Sequence, residues 1–411
     1  MDKIDRASAV RAITLVCAAQ VFVQIGAFFW PALLPGMMSR WSLTNSEAGW
    51  ITAVFYAAYI VAVPVLVTLT DRIDAKRVYL AGVALTIAGH ALFAASADGF
   101  WSALAARALT GVGWAGTYMT GLKLLADKVD GPLLSRAAAG HAASIGISGA
   151  LSFACADLLA EIGGWRFAFA AAAVCASFAW VMVALAIPGH ARPAASSQPN
   201  GAMFDFRPVL RNRSAMAYAI AYCIHTFEMS ALRGWGVAFL GFVAVTTGAT
   251  GAALSPTLTL TLFGLLGTLA SVLGNEAAIR FGRRRLIATA MIGSAACAVL
   301  LGVVGPQSYL LAALLILIYG PIIWLDSSSL TAGTAGTADP ARRGATLAVH
   351  SMLGYLGGFI GPLAVGWTLD LQSANAAAGW LTAFCGIAAL SGLALIVFLM
   401  MRPRALEGDR A

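Results

Sequence analysis

Of the ionisable side chains inside the long apolar runs of the chain, six have types and positions that could do chemistry: Arg107, Lys123, His225, Glu228, Arg233 and Asp326. A charge at that depth costs roughly 2.5 to 3.5 kcal/mol unless it faces protein or water, so each calls for a physical explanation. Glu228 lies midway along its run with His225 three residues before it, on the same helical face. A carboxylate sheltered from water titrates according to its surroundings, which is the behaviour a proton-coupling site needs. The alternative is a fixed pair between Glu228 and an arginine, holding helices together. Arg233 is followed by Gly234, where a kink would turn the guanidinium toward a cavity. Asp326 precedes Ser327, Ser328 and Ser329. Such a group either receives a proton or polar substrate or forms a closed acid-hydroxyl network. Arg107 suits an anion, with snorkelling or a pair with Asp157 as the structural alternatives. Lys123 lies further along the same run, near the inner mouth, where snorkelling and substrate contact are equally open. Gln20 and Gln24 are one turn apart and either line the cavity or bond a neighbouring helix. Of the other histidines, His90 reads as a core residue, His141 and His350 as packing at inner helix ends, and His190 as part of a linker.

No nucleophile elbow, P-loop or Walker motif occurs, and the six cysteines are scattered singly without metal-ligand spacing. The chain is expected to be no enzyme, to hold no metal and to need no cofactor.

The elements that must position these residues are membrane helices. The 411 residues are 60% hydrophobic and 11% charged, against about 25% charged in a soluble domain. Low-charge runs fall at about 12-38, 47-70, 78-97, 101-125, 137-160, 165-187, 215-240, 254-279, 286-304, 309-332, 345-369 and 377-401. None shows the alternation of a barrel strand, so each is expected to be helical. The first is too long for a cleaved signal peptide. With the N-terminus inside, the inner segments hold twenty-one Lys and Arg and the outer loops two, Arg40 and Arg166. Both termini are therefore expected in the cytoplasm. The net charge of +8 follows from topology, with a lipid bilayer and no nucleic acid as the partner.

Residues 188-214, rich in Pro, Ser and Gly, read as a cytoplasmic linker between halves 1-187 and 215-411. The halves repeat. Asp71, Arg72, Lys76 and Arg77 sit 208 positions before Ile279, Arg280, Arg284 and Arg285, and Pro132, Gly146 and Gly149 meet Pro340, Gly354 and Gly357 at the same offset. On these residues the chain resembles the major facilitator superfamily. That family's loop after its second helix reads G-x-L-A-D-R-x-G-R-R. Here Val67 and Asp74 replace both glycines, and the second copy keeps Arg280, Gly282, Arg283 and Arg284 with Ile279 in place of the acid. Arg107 with Gly111 is similar to the R-x-x-x-G pattern of the family's fourth helix. The resemblance implies an all-α membrane protein of twelve transmembrane helices in two pseudo-symmetric six-helix bundles, with a site between the halves. It also implies a cytoplasmic gate built from Asp71, Arg72, Lys76, Arg77, Arg280, Gly282 and Arg283. For the basic residues, topology anchoring is the simpler account; for Asp71, a latch is expected.

The function expected is secondary active transport by alternating access in the inner membrane, by a monomer. The titratable residues favour proton coupling. The count of three deep bases against two deep acids favours a symporter of small organic anions. A drug or metabolite exporter is the alternative. It is weakened because the proline of the exporter G-x-x-x-G-P-x-x-G-G element is missing after Gly146 and Gly149. A sensor or scaffold is set aside, since deep charges serve no purpose there.

Overall fold

The computed structural model describes residues 6–70, 72–129, 131–189, 206–249, 251–406 and 409. Lys3, Asp71, His190, Arg192, Arg410 and most of the expected linker lie outside the described residues. The elements are α1 (Arg6–Gln24), α2 (Phe29–Trp41), α3 (Asn45–Leu69), α4 (Ala75–Ser96), α5 (Phe100–Ala115), α6 (Tyr118–Ala126), α7 (Gly131–Ala186), the short α8 (Arg207–Arg211), α9 (Arg213–Thr247), α10 (Pro256–Phe281), α11 (Arg283–Val303), α12 (Tyr309–Trp324), α13 (Ser327–Thr337), α14 (Arg343–Leu371) and α15 (Ala376–Met401). No strand occurs among the described residues.

Among the described residues, ten segments are long and apolar enough to cross a bilayer, and two local features complete the twelve. Gly164, at φ +78°, splits α7 into two helices; a side chain there would be strained in the left-handed region. The pair α5 and α6 forms one interrupted crossing. Two other crossings are interrupted as well, α1 to α2 and α12 to α13. The sequence reading had treated all three as continuous runs.

The chain forms two compact units. Unit 1 comprises Met1–Leu33 and Val54–Pro199, and unit 2 comprises Leu34–Ala53 and Asn200–Ala411. In unit 1, α1 lies along α7, and α4 packs on α5 and α7. Its core gathers small residues such as Ala12, Ala19, Ala176 and Ala179 around Val16, Tyr79 and Val83. Small side chains let membrane helices approach closely, and that replaces the hydrophobic driving force lost in lipid. In unit 2, α14 lies along α9, α11 along α15 and α10 along α12. The α9-facing side of α14 is a row of glycines, where a Cβ on Gly354, Gly357 or Gly361 would strike Tyr222, Cys223 or Phe227. Residues 34–53 belong to unit 2 through Asp370. Its carboxylate accepts the Asn45 N–H at 3.0 Å, the Asn45 amide at 2.9 Å and the Ser46 N–H at 2.7 Å, capping the start of α3.

Candidate functional site

Two polar clusters lie inside the apolar fold, one in each unit. In unit 2, α9 runs unbroken from Arg213 to Thr247 and carries His225, Glu228 and Arg233, all buried. The helix continues without a break through Gly234. Arg233 instead lays its guanidinium over the Trp324 ring, 4.6 Å from the centroid. His225 and Glu228, expected to act as a pair, each reach a different helix. Glu228 accepts hydrogen bonds from the Tyr319 hydroxyl of α12 and, at 3.3 Å, from the Ser391 hydroxyl of α15. Hydroxyl groups, with Ser294 of α11 as a third, hold this carboxylate. His225 Nδ1 lies 3.0 Å from Asp326 Oδ1, both side chains almost wholly buried.

Asp326 owes its place to the break between α12 and α13. Pro321 has no N–H to give the Leu317 carbonyl, which weakens the last turns of α12, ahead of the break. The Asp326 carbonyl then receives the Leu330 N–H at 2.8 Å and starts α13. Its carboxylate makes no cap bond, so it faces His225. Two of the three serines expected to satisfy it turn toward α10 instead. Ser328 meets Ser271 at 2.8 Å, and Ser329 donates to the Gly274 carbonyl at 3.3 Å. A cavity of about 10 Å³, room for one water, is lined by His225, Glu228, Ser294, Asp326 and Ser391. Tyr222 is stacked between His225 and His350, with ring centroids 5.5 and 4.0 Å away. The His350 nitrogens meet Thr331 at 3.2 Å and Thr334 at 3.0 Å. His350, read from sequence as packing, therefore adjoins this cluster.

In unit 1 the interruption between α1 and α2 has the same cause. Pro31 lacks the N–H that would bond the Ala27 carbonyl. Arg107 supplies the missing donor, Nη1 to Ala27 O at 3.0 Å, and stacks 4.6 Å over the Phe55 ring. Gln24 donates to the Thr117 hydroxyl at 3.3 Å, so it ties the end of α1 to the break between α5 and α6. Tyr79 donates to Gln20 Oε1 at 3.4 Å. Four buried polar atoms remain without a hydrogen-bond partner here: Gln20 Nε2, Arg107 Nε and Trp114 Nε1, all donors, and the acceptor Gln24 Oε1.

Lys123 does not join either cluster. Its side chain is 36% exposed and paired with Asp127 one turn on, an ordinary i,i+4 ion pair. The basic loops also separate by role. Arg72, Arg77 and Arg280 are exposed, as topology anchors would be. Lys76 donates to the Ala184 carbonyl at 2.8 Å, and Asp74 caps α4 through the Lys76 N–H at 3.0 Å. Nearby Lys128, outside the membrane segments, has its ammonium drawn below the ordinary lysine value by burial, while Asp74 and Asp127 push it back up. Asp71, the expected latch, lies outside the described residues. Gly282, at φ +92°, turns the chain between α10 and α11. Arg283 is buried and paired with Asp409, an acid the sequence reading passed over, as it did Tyr319 and Ser391.

The Major Facilitator Superfamily profile matches residues 15–320. Protein spinster homolog 1 of Bos taurus is 24% identical over 318 residues, 74% of this chain and 59% of its own length. The human protein of that name is 25% identical, with 58% of its length matched. The chain thus spans less than two thirds of these curated relatives. The sphingosine-1-phosphate transporter SPNS2 of Xenopus tropicalis is 23% identical over 91% of this chain and 76% of its own. Among solved structures, a bacterial homologue of the human lysosomal transporter Spinster, inward-facing and occupied, shares the fold at TM-score 0.79 and 13% identity, covering 99% of both chains. The nucleoside transporter NupG does so at TM-score 0.74 and 15% identity, covering 96% of this chain and 100% of its own. A profile covering most of the length, joined to twelve helices and a whole-chain fold match, leaves one assignment: the chain belongs to the Major Facilitator Superfamily, a family of membrane transporters and not of enzymes.

Proposed function

We propose that the chain is a secondary carrier that moves a small organic anion together with protons, by alternating access, as a monomer in the inner membrane with both termini cytoplasmic. The observation that carries this reading is that each polar cluster sits at an interrupted membrane helix, Arg107 at the α1–α2 break and Asp326 at the α12–α13 break. Irregular backbone at membrane depth is tolerated where it lines a site, and carriers place their binding residues there. The cluster around Arg107 holds three buried donors, Gln20 Nε2, Arg107 Nε and Trp114 Nε1, and one acceptor, Gln24 Oε1, without a hydrogen-bond partner among the described residues, an arrangement suited to an anion. The Xenopus relative is named for a phosphate-bearing lipid, the charge type Arg107 would take. Unit 2 supplies the acids. Glu228, which accepts from a tyrosine and a serine hydroxyl, and Asp326, 3.0 Å from His225 Nδ1, are the groups assigned to proton coupling in this reading.

Glu228→Gln should abolish gradient-driven accumulation while sparing counterflow exchange in proteoliposomes. Accumulation equal to the unaltered protein would remove Glu228 from coupling. A second reading, export of drugs or metabolites, gains from one observation. With Lys123 held by Asp127, the deep bases no longer outnumber the deep acids. Cells lacking the protein separate the two readings. Loss of acid uptake supports the symporter, and new sensitivity to hydrophobic cations supports the exporter.

A further inference from the structure

We propose that the segment after α15 is a strap that positions Asp326, acting through Asp409, Arg283 and the half-helix α13. The proposal rests on the reading of Asp326 as part of the coupling site. The second copy of the basic loop has Ile279 where its acid would stand, yet Arg283 in that loop is 4% exposed. A buried guanidinium needs a partner. Asp409 provides it from outside the loop, with its two oxygens receiving Nε at 2.9 Å and Nη2 at 3.0 Å, the two-pronged geometry that arginine favours. The remaining Arg283 nitrogen, Nη1, donates to Asn275 of α10 at 3.1 Å and to the Ser329 carbonyl of α13 at 3.2 Å.

The strap is itself held down. The Tyr218 hydroxyl of α9 donates to the Arg404 carbonyl at 3.0 Å, and the Arg404 N–H donates to Ser214 at 3.1 Å. The Leu406 N–H donates to Asp409 at 3.3 Å, and the Leu406 side chain seats on Gly336, where any Cβ would collide with it. The α13 segment is therefore gripped at Ser329 by Arg283 and at Gly336 by Leu406. It is a short lever with a break at its start, and the residue at that break is Asp326. Whatever moves α13 moves this carboxylate against the groups around it. Those groups are His225 and Glu228 of α9, with Ser294 of α11 and Ser391 of α15 lining the same cavity; behind them, Tyr319 of α12 and Cys297 of α11 face Glu228, and His350 of α14 faces His225. The strap thus supplies from a distant part of the chain the acid that the loop lacks, and links the end of the bundle to its interior.

The test uses the full chain in lipid nanodiscs, with Asp409→Asn, Asp409→Glu and Arg283→Lys. Two readouts are taken: amide hydrogen exchange over residues 327–337, and the pH midpoint of the protonated-carboxyl infrared band that Asp326→Asn removes. Asp409→Asn should speed exchange in α13 by about tenfold or more, leaving α4 and α7 unchanged, and should move the band midpoint. Asp409→Glu should restore both, and Arg283→Lys, which keeps the charge but loses the fork, should fall between. The proposal is overturned by unchanged exchange, by exchange raised equally through all of unit 2, or by raised exchange with an unmoved midpoint. If no band in the unaltered protein depends on Asp326, the proton reading of that residue fails by itself, and exchange in α13 decides the strap.

Discussion

Arg107 has a structural bond and a proposed substrate role, and substitution separates them. Its Nη1 satisfies a carbonyl that a proline cannot, and its Nε has no hydrogen-bond partner among the described residues. Arg107→Lys keeps a charge but loses the planar fork and the stack on Phe55, so substrate affinity should fall about 10- to 100-fold, read as KM in proteoliposomes. Arg107→Ala also orphans the Ala27 carbonyl and should cost a further ~1 to 3 kcal/mol of stability. A drop in thermal stability with KM unchanged would make Arg107 purely structural. At this scale the deep charges were legible, because an acid or base inside an apolar run stands out against its neighbours. Their neutral partners Tyr319 and Ser391 were not, since tyrosine and serine occur throughout membrane helices and only folding brings them to Glu228. Lys123 misled for a different reason. Asp127 stands one turn away in sequence, and that spacing already offered it a local ion pair.

The interrupted helices are the elements that place both clusters, and two of the three breaks follow a rule readable from sequence. Pro31 denies the Ala27 carbonyl its helical N–H, and Pro321 does the same to Leu317. Hydropathy registers only length and polarity, so it found the spans and passed over the breaks inside them. Pro31→Ala restores an N–H that can compete with Arg107 for the Ala27 carbonyl. The expected outcome is a stability gain of ~1 to 3 kcal/mol in detergent, with slower transport, because the healed helix frees Arg107 from its register. Unchanged melting temperature and rate would show that the break does not depend on the proline. At the other kind of break, Gly164→Ala should cost ~1 kcal/mol or more, since φ +78° strains any side chain. Loss of ordered near-native packing in α7 would be its visible sign in hydrogen exchange.

On the scale of the whole molecule, the duplicated pattern at a 208-residue offset made the two-fold architecture legible. Hydropathy patterning gave the twelve crossings. What could not be read was the assignment of residues 34–53 to unit 2, because Asn45 and Asp370 are far apart in sequence and meet only through tertiary packing. The asymmetry of charge leads to the last prediction. Twenty-one basic residues fall on one set of connecting segments and two on the other, and anionic headgroups and the insertion machinery hold such segments in the cytoplasm. In a background with the six native cysteines replaced, a single cysteine at Arg40 or Arg166 should react in intact cells with a thiol reagent that cannot cross the membrane. One at Arg342 or Arg402 should react only after the cells are opened. Labelling in the reverse pattern would turn the molecule over in the bilayer and with it the direction assigned to proton flow, while leaving the packing of each unit as described.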